Sequence, residues 1–136
     1  EKRTMTTTTH TIISTKDAPA AIGPYNQATV YNGTVFCSGQ IALDAQTMEF
    51  VSSTDVAAQT RQCLKNMGNV LKAAGSSFSK VLKVQIFCKD MNDFGTINKA
   101  YQEVFNDAST APARACVEVA RLPRDALVEI DCVAYV

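Results

Sequence analysis

Two short apolar, β-rich runs, 29–31 and 34–38, are separated by Asn32-Gly33. That dipeptide supplies two residues tolerant of positive φ and predicts a tight hairpin. Gly39-Gln40-Ile41 carries the second strand outward, with Gly39 marking a bulge or a close backbone approach. From 55 to 74 the period changes. Val56, Thr60, Cys63, Leu64, Met67, Val70, Leu71 and Ala74 recur at helical spacing. Thr54 or Ser53 can cap the start of this helix and Gly75 suits its C′ position. Residues 81–88 read as a strand. A second helix is predicted over 93–105, with Asn92 as its cap and a stripe of Phe94, Ile97, Tyr101, Val104 and Phe105. Strands are predicted at 113–121 and 127–136, with Leu122-Pro123-Arg124-Asp125 as the turn between them. In the last strand Val128, Ile130, Cys132, Ala134 and Val136 face one way, toward the helices, and Leu127, Glu129, Asp131, Val133 and Tyr135 face the other. The order β-β-α-β-α-β-β predicts an α+β domain with two helices on one face of a sheet. The other face mixes apolar side chains with carboxylates, a pattern expected of a surface covered in an oligomer.

Composition narrows the chemistry. A chain of 136 residues fits one domain, here 11–136. Positions 1–10 read as a disordered tail, with 1–4, ahead of Met5, as a remnant of expression. The formal net charge is zero, which argues against a strongly electrostatic nucleic-acid or membrane binder. Cys37, Cys63, Cys88, Cys116 and Cys132 are odd in number and irregularly spaced, with no C-x-x-C. They read as reduced core thiols in a cytoplasmic protein rather than as disulfides or a zinc site. The single histidine, His10, sits in the tail. Catalytic triads and His-ligated metals are therefore not expected. No run reaches membrane-spanning length. The tail lacks the Arg-rich amphipathic character of a transit peptide, but a truncated tail would lose that character too, which leaves mitochondrial import open.

Two segments carry candidate chemistry. Arg114 interrupts the apolar run Ala113–Val119, and its guanidinium fork suits a carboxylate. Pattern alone reads it first as a surface arginine or an ion-pair partner of Glu118 or Asp131. Glu129, between Val128 and Ile130, could hold or deprotonate a water. Pattern alone reads it first as an exposed residue of a sheet edge. If 113–121 and 127–136 pair as a hairpin, Arg114 lies near Val133 and Glu129 near Glu118, an offset of about 13 Å at strand rise. A shared ligand would then need Glu129 from a neighbouring subunit, whereas one pocket holding both within a chain would rule that out. Tyr25 after Gly23-Pro24 is a presented phenol or a packed tyrosine. Ser38-Gly39 offers a hydroxyl and close backbone approach, or simply ends a strand. Asn98 reads more as a loop bridge than as a ligand contact. Cys116 lies on the same strand face as Arg114, and without a histidine its backbone groups are better candidates than its thiol.

Taken in order, Ala18-Pro19-Ala20-Ala21-Ile22-Gly23-Pro24-Tyr25, Ser38-Gly39-Gln40-Ile41, Lys89-Asp90-Met91-Asn92-Asp93-Phe94, Pro112-Ala113-Arg114, Cys116-Val117-Glu118-Val119, Leu122-Pro123 and Val128-Glu129-Ile130 resemble the RidA (YjgF-like) imine deaminase family. The resemblance covers 18–134. It implies a chorismate-mutase-like α+β fold, a homotrimer with clefts between subunits, and hydrolysis of 2-aminoacrylate-type 2-imino acids to 2-keto acids and ammonia without metal or cofactor. By the family's motif, Arg114 binds the substrate carboxylate and Glu129 orients water, while Tyr25, Ser38, Gly39, Asn98 and Cys116 match the other cleft positions. The rival readings are an endoribonuclease or translation inhibitor, for which neutral charge and the lack of a basic-aromatic stripe give little support, and a non-catalytic small-acid sensor or chaperone.

Overall fold

The computed structural model describes residues 9–136. The expectation for the tail therefore lies, for residues 1–8, outside the described residues. Six strands, β1 (Thr11–Ile13), β2 (Ala28–Tyr31), β3 (Thr34–Gln40), β4 (Val81–Cys88), β5 (Ala113–Glu118) and β6 (Val128–Tyr135), form one sheet in the order β1-β2-β3-β6-β4-β5. The helices are α1 (Val56–Ala73) and α2 (Phe94–Gln102). The α+β class and the one-sided helical layer are as the pattern predicts. β1 is an addition, a short edge strand on β2 too brief to show an alternation of its own.

Local chemistry explains most boundaries. Asn32 and Gly33 both take positive φ, 49° and 74°, as the two-residue hairpin requires, and Tyr31 pairs with Thr34. Asp55, not Thr54 or Ser53, caps α1: its carboxylate accepts from Ala58 N at 3.1 Å. Gly75 closes that helix at φ 80°. Asn92 does not cap α2. It lies inside a 3-10 turn, Met91–Asp93, whose own cap is the Asp90 carboxylate accepting from Asn92 N at 2.8 Å. α2 ends at Gln102, but the apolar stripe continues in packing, because the Phe105 ring stacks 4.6 Å from Tyr101.

One long-range expectation is overturned. β5 does not form a hairpin with β6. It runs parallel to β4 on the sheet edge, Arg114 opposite Val84 and Cys116 opposite Ile86, so β4-α2-β5 is a crossover unit. β6 instead inserts between β3 and β4, antiparallel to both. The segment from 119 to 127 therefore has to pass the end of β4, and Arg124 and Asp125 take positive φ to make the bend.

The core lies between the sheet and α1. Cys63, Leu64, Met67, Val70 and Leu71 are fully buried against Val84, Ile86, Val128, Ile130 and Ala134. Each such aliphatic side chain contributes roughly 1.5–3 kcal/mol by burial. Arg61 on α1 holds Glu103, just beyond α2, through two hydrogen bonds of 2.9 and 3.0 Å, tying α2 down over the β4-β5 edge. The opposite sheet face has no helix, and Phe36 (50% exposed), Val117 (47%) and Tyr135 (44%) lie open on it. Among the described residues no helix is long and apolar enough to cross a membrane. Replacing the cap should separate the candidates: Asp55→Ala loses about 1 kcal/mol in urea unfolding, whereas Thr54→Ala stays within about 0.5 kcal/mol.

Candidate active site

Alternation along β6 sends Ile130 and Cys132 into the core and Glu129 and Asp131 to the helix-free face. Next to it, the register of β3 slips between Cys37 and Gln40, and this bulge sits at Gly39. The Glu129 carboxyl lies directly over Gly39: a Cβ there would meet Glu129 Cδ at 2.8 Å and Oε2 at 2.9 Å. Both sequence readings of Gly39, bulge and close approach, therefore hold at once. Around the carboxyl is a cavity of about 60 Å³ lined by Ile22, Tyr25, Gly39, Ile41, Pro123 and Glu129. That is ample for a water molecule.

Burial, and secondarily the Asp131 charge, raises the Glu129 pKa above the ordinary carboxylate value; burial also raises that of Asp131. Tyr25 is 48% exposed, held by a tight turn in which its N–H donates to Gly23 O at 2.8 Å. Its hydroxyl oxygen accepts from Ile22 N at 3.4 Å. The Ser38 hydroxyl donates to Asn26 O at 2.6 Å, which commits its proton but leaves its lone pairs. Sequence reading passed over Gln27. Its buried carboxamide accepts from Thr15 N (2.7 Å) and donates to Thr15 O (3.0 Å) and Pro19 O (2.9 Å), fixing the segment that leads to Tyr25. A glutamine placed just ahead of an apolar strand was the available signal.

A second group gathers on the other face. Pairing of Arg114 with Val84 and of Cys116 with Ile86 turns both side chains toward the helical layer at the open edge of the sheet. The Arg114 guanidinium lies over the Tyr101 ring at 4.7 Å and the Phe94 ring at 5.6 Å, a cation–π clamp. These two aromatics entered the sequence reading only as a hydrophobic stripe. Neither ion-pair partner suggested for Arg114 is engaged with it. Glu118 accepts from Met91 N at 3.0 Å, and Asp131 lies across the sheet. Among the described residues Arg114 makes no salt bridge. Asn98 is four residues after Phe94 and three before Tyr101, on the same side of α2. It does not bridge loops through its Oδ1, which is buried without a hydrogen-bond partner, as is the Tyr101 hydroxyl.

The chain thus holds two half-sites. Tyr25, Ser38, Gly39 and Glu129 occupy the helix-free face, and Arg114, Asn98 and Cys116 occupy the helical side of the edge. On the common neighbour β4, Arg114 is level with Val84 and Glu129 with Phe87. That is about 10 Å along the strand and two strand spacings, also about 10 Å, across it. Among the described residues, the cavity at Glu129 does not reach Arg114, Asn98 or Cys116.

A family model described as Endoribonuclease L-PSP matches residues 15–136. The RutC family protein slr0709 of Synechocystis is 56% identical over 90% of this chain and 94% of its own length. The 2-iminobutanoate/2-iminopropanoate deaminase of Homo sapiens is 46% identical over 90% of this chain and 88% of its own. The solved structure of E. coli TdcF with bound serine superposes with a TM-score of 0.87 at 43% identity, covering 93% of this chain and 98% of that one. The chain belongs to the RidA family. At family level, imine deamination is therefore the activity attached to this fold. The stretches that carried the resemblance in the RidA sequence pattern fall in both half-sites.

The raised Glu129 pKa has a consequence for stability. The folded protein holds that proton more tightly than the unfolded chain, so this contribution to stability is full at low pH and is lost as pH rises through the folded value. Glu129→Gln should accordingly raise Tm at pH 7, with the difference from wild type vanishing below about pH 4. An equal or lower Tm for the variant at pH 7 would show that the carboxylate is not strained by burial.

Proposed function

We propose that this RidA-family chain hydrolyses 2-imino acids to 2-keto acids and ammonia, at sites formed where the Arg114 half of one subunit meets the Glu129 half of another in a homotrimer. The observation that carries this reading is the Arg114 guanidinium. It is oriented by two aromatic rings, without a carboxylate partner among the described residues, at an open sheet edge. Such a cation is prepared for a ligand carboxylate. Two further points support it. TdcF, a structural neighbour, is described with bound serine, itself a small 2-amino acid. The apolar side chains left on the helix-free face, Phe36 and Tyr135 among them, give subunits a surface to share.

In this mechanism Arg114 takes the substrate carboxylate in two parallel hydrogen bonds and so fixes the imine carbon. Backbone groups beside Cys116 and Gly39 contact the imine nitrogen, and Asn98, Tyr25 and Ser38 border the substrate. Water in the Glu129 cavity attacks the carbon and gives up a proton to the carboxylate. The carboxyl passes that proton to the nitrogen, giving a carbinolamine; as the C–N bond breaks, the carbinolamine hydroxyl gives its own proton to the nitrogen through the same carboxylate, so ammonia leaves and the carbonyl forms. A carboxyl pushed up by burial is better suited to hold and return that proton than one at its ordinary value. Orientation supplies much of the acceleration, since the reaction needs only water and a placed electrophile. No metal or cofactor takes part.

The test couples a threonine dehydratase to this protein and follows trapped imine against keto acid. Arg114→Ala should lose about 100-fold in kcat/KM, with Arg114→Lys intermediate because it restores charge without the fork. Unchanged rates in Arg114→Ala would overturn the assignment. RNA cleavage is the second reading, favoured by the description of the matching family model. It predicts cleavage that falls steeply with salt and is lost in the same variants.

A further inference from the structure

The two aromatic neighbours of the Arg114 guanidinium are not equivalent. Phe94 and Tyr101 lie two turns apart along one face of α2. The Phe94 ring centre is 5.6 Å from the guanidinium carbon and the residue is 36% exposed; the Tyr101 ring centre is 4.7 Å away and the residue is 7% exposed. A cation–π contact strengthens as it leaves water, so the Tyr101 contact is the stronger. That ring is also braced from behind. Phe105 stacks on it with centroids 4.6 Å apart, and Phe78 meets Phe105 edge-on at 5.5 Å. Phe78 in turn presses into α1 at Gly68, where a Cβ would come within 2.6 Å of Phe78 Cζ. The bare backbone at Gly68 thus lets this column of rings lie against the helix that closes the core. Tyr101 cannot change rotamer without displacing Phe105. Its hydroxyl is buried without a hydrogen-bond partner, so the ring and not the oxygen engages Arg114. Burial raises the Tyr101 pKa, against the opposing pull of the Arg114 charge, so the phenol stays neutral beside the cation.

We propose that Tyr101 is a positioning residue of the deaminase: its ring, braced by Phe105 and Phe78, fixes the height and aim of the Arg114 guanidinium and thereby sets the affinity for the substrate carboxylate. This role rests on the deaminase reading. An arginine loose on β5 would spread among rotamers, and binding would first have to gather them into one. Held on the ring, the guanidinium is gathered in advance. The π face attracts its charge but offers no oxygen to compete for its N–H groups, which stay available for a carboxylate. The carboxylate keeps its charge in the imine, the adduct and the keto acid. The contribution of Tyr101 is therefore uniform binding, which appears in KM and leaves kcat nearly unchanged.

The experiment follows imine hydrolysis by the full chain over a range of imine concentrations set by the dehydratase flux. Tyr101→Leu, which removes the ring, should raise KM about 10-fold and hold kcat within about 3-fold. Tyr101→Phe, which keeps the ring, should stay within about 3-fold of wild type in both. In an Arg114→Ala background the Tyr101→Leu change should cost less than about 2-fold, because the residue through which it acts is gone. The Arg114 Nε–H proton signal in nitrogen-15 NMR, displaced by the Tyr101 ring current, should be retained in Tyr101→Phe and move toward that of an exposed arginine in Tyr101→Leu. Circular dichroism checks folding, and Tyr101→Met replaces Tyr101→Leu if the latter does not fold. The role is overturned, with the deaminase reading left standing, by an active wild type whose folded ring-less variant keeps its KM or its Arg114 signal. Tyr101→Phe as impaired as Tyr101→Leu, or an undiminished penalty in the Arg114→Ala background, would overturn it equally. A wild type that does not speed keto-acid formation would remove both.

Discussion

A single sheet covered by helices on one face only governs this molecule. Side chains alternate across that sheet, so each residue of β5 and β6 belongs either to the helical side or to the bare side. Arg114 falls on the first and Glu129 on the second. The core behind them is closed by α1 and dense with Leu64, Met67 and Leu71, and the two groups lie on opposite faces of the sheet that bounds it. The helix-free face leaves Phe36, Val117 and Tyr135 open, and β5, which carries Arg114, is the last strand of the sheet. One architectural choice thus both divides the site and supplies the surface through which another subunit can complete it.

Each half is built for a different kind of work. Around Glu129 the backbone gives way: the bulge at Gly39 removes a side chain so the carboxyl can lie against the strand, and the resulting confinement makes its charge costly. Around Arg114 the aromatic rings of α2 hold a charge that has no salt-bridge partner among the described residues. The ion pair between Arg61 and Glu103 looks remote from chemistry, yet it anchors the helix that carries those rings. Tyr101 and Asn98 each bury an unpaired oxygen on that helix, a cost that a bound ligand or a neighbouring subunit would relieve.

Sequence exposed local structure well. The Asn32-Gly33 hairpin, the long periodic α1 with Gly75 at its end, and the clean alternation of β6 were legible because each depends on residues adjacent in the chain. The pairing of β5 was not. A nine-residue segment from 119 to 127 resembles a loose hairpin loop, and nothing local reveals that β6 returns to the middle of the sheet while β5 stays beside β4. A strand-helix-strand reading of 81–118 would have favoured the parallel pair. The same limit governed the site. Motif resemblance singled out Arg114 and Glu129, whereas the cation–π clamp, the Gln27 staple and the opposite orientation of the two half-sites depend on contacts between segments far apart in sequence. The hairpin argument reached an intersubunit site from the wrong strand pairing; the parallel β5 supports that site on different grounds, the two faces of one sheet.

The most direct test of that division is complementation between defective subunits. Arg114→Ala and Glu129→Gln chains, each inactive alone, would be co-expressed with different tags and the mixed oligomers purified. If each site takes its arginine from one subunit and its glutamate from another, every mixed trimer regains one wild-type site in three, and imine hydrolysis returns to about a third of the wild-type level. If both groups come from the same chain, every site in every mixed oligomer lacks one of them, and activity stays at the level of the parents.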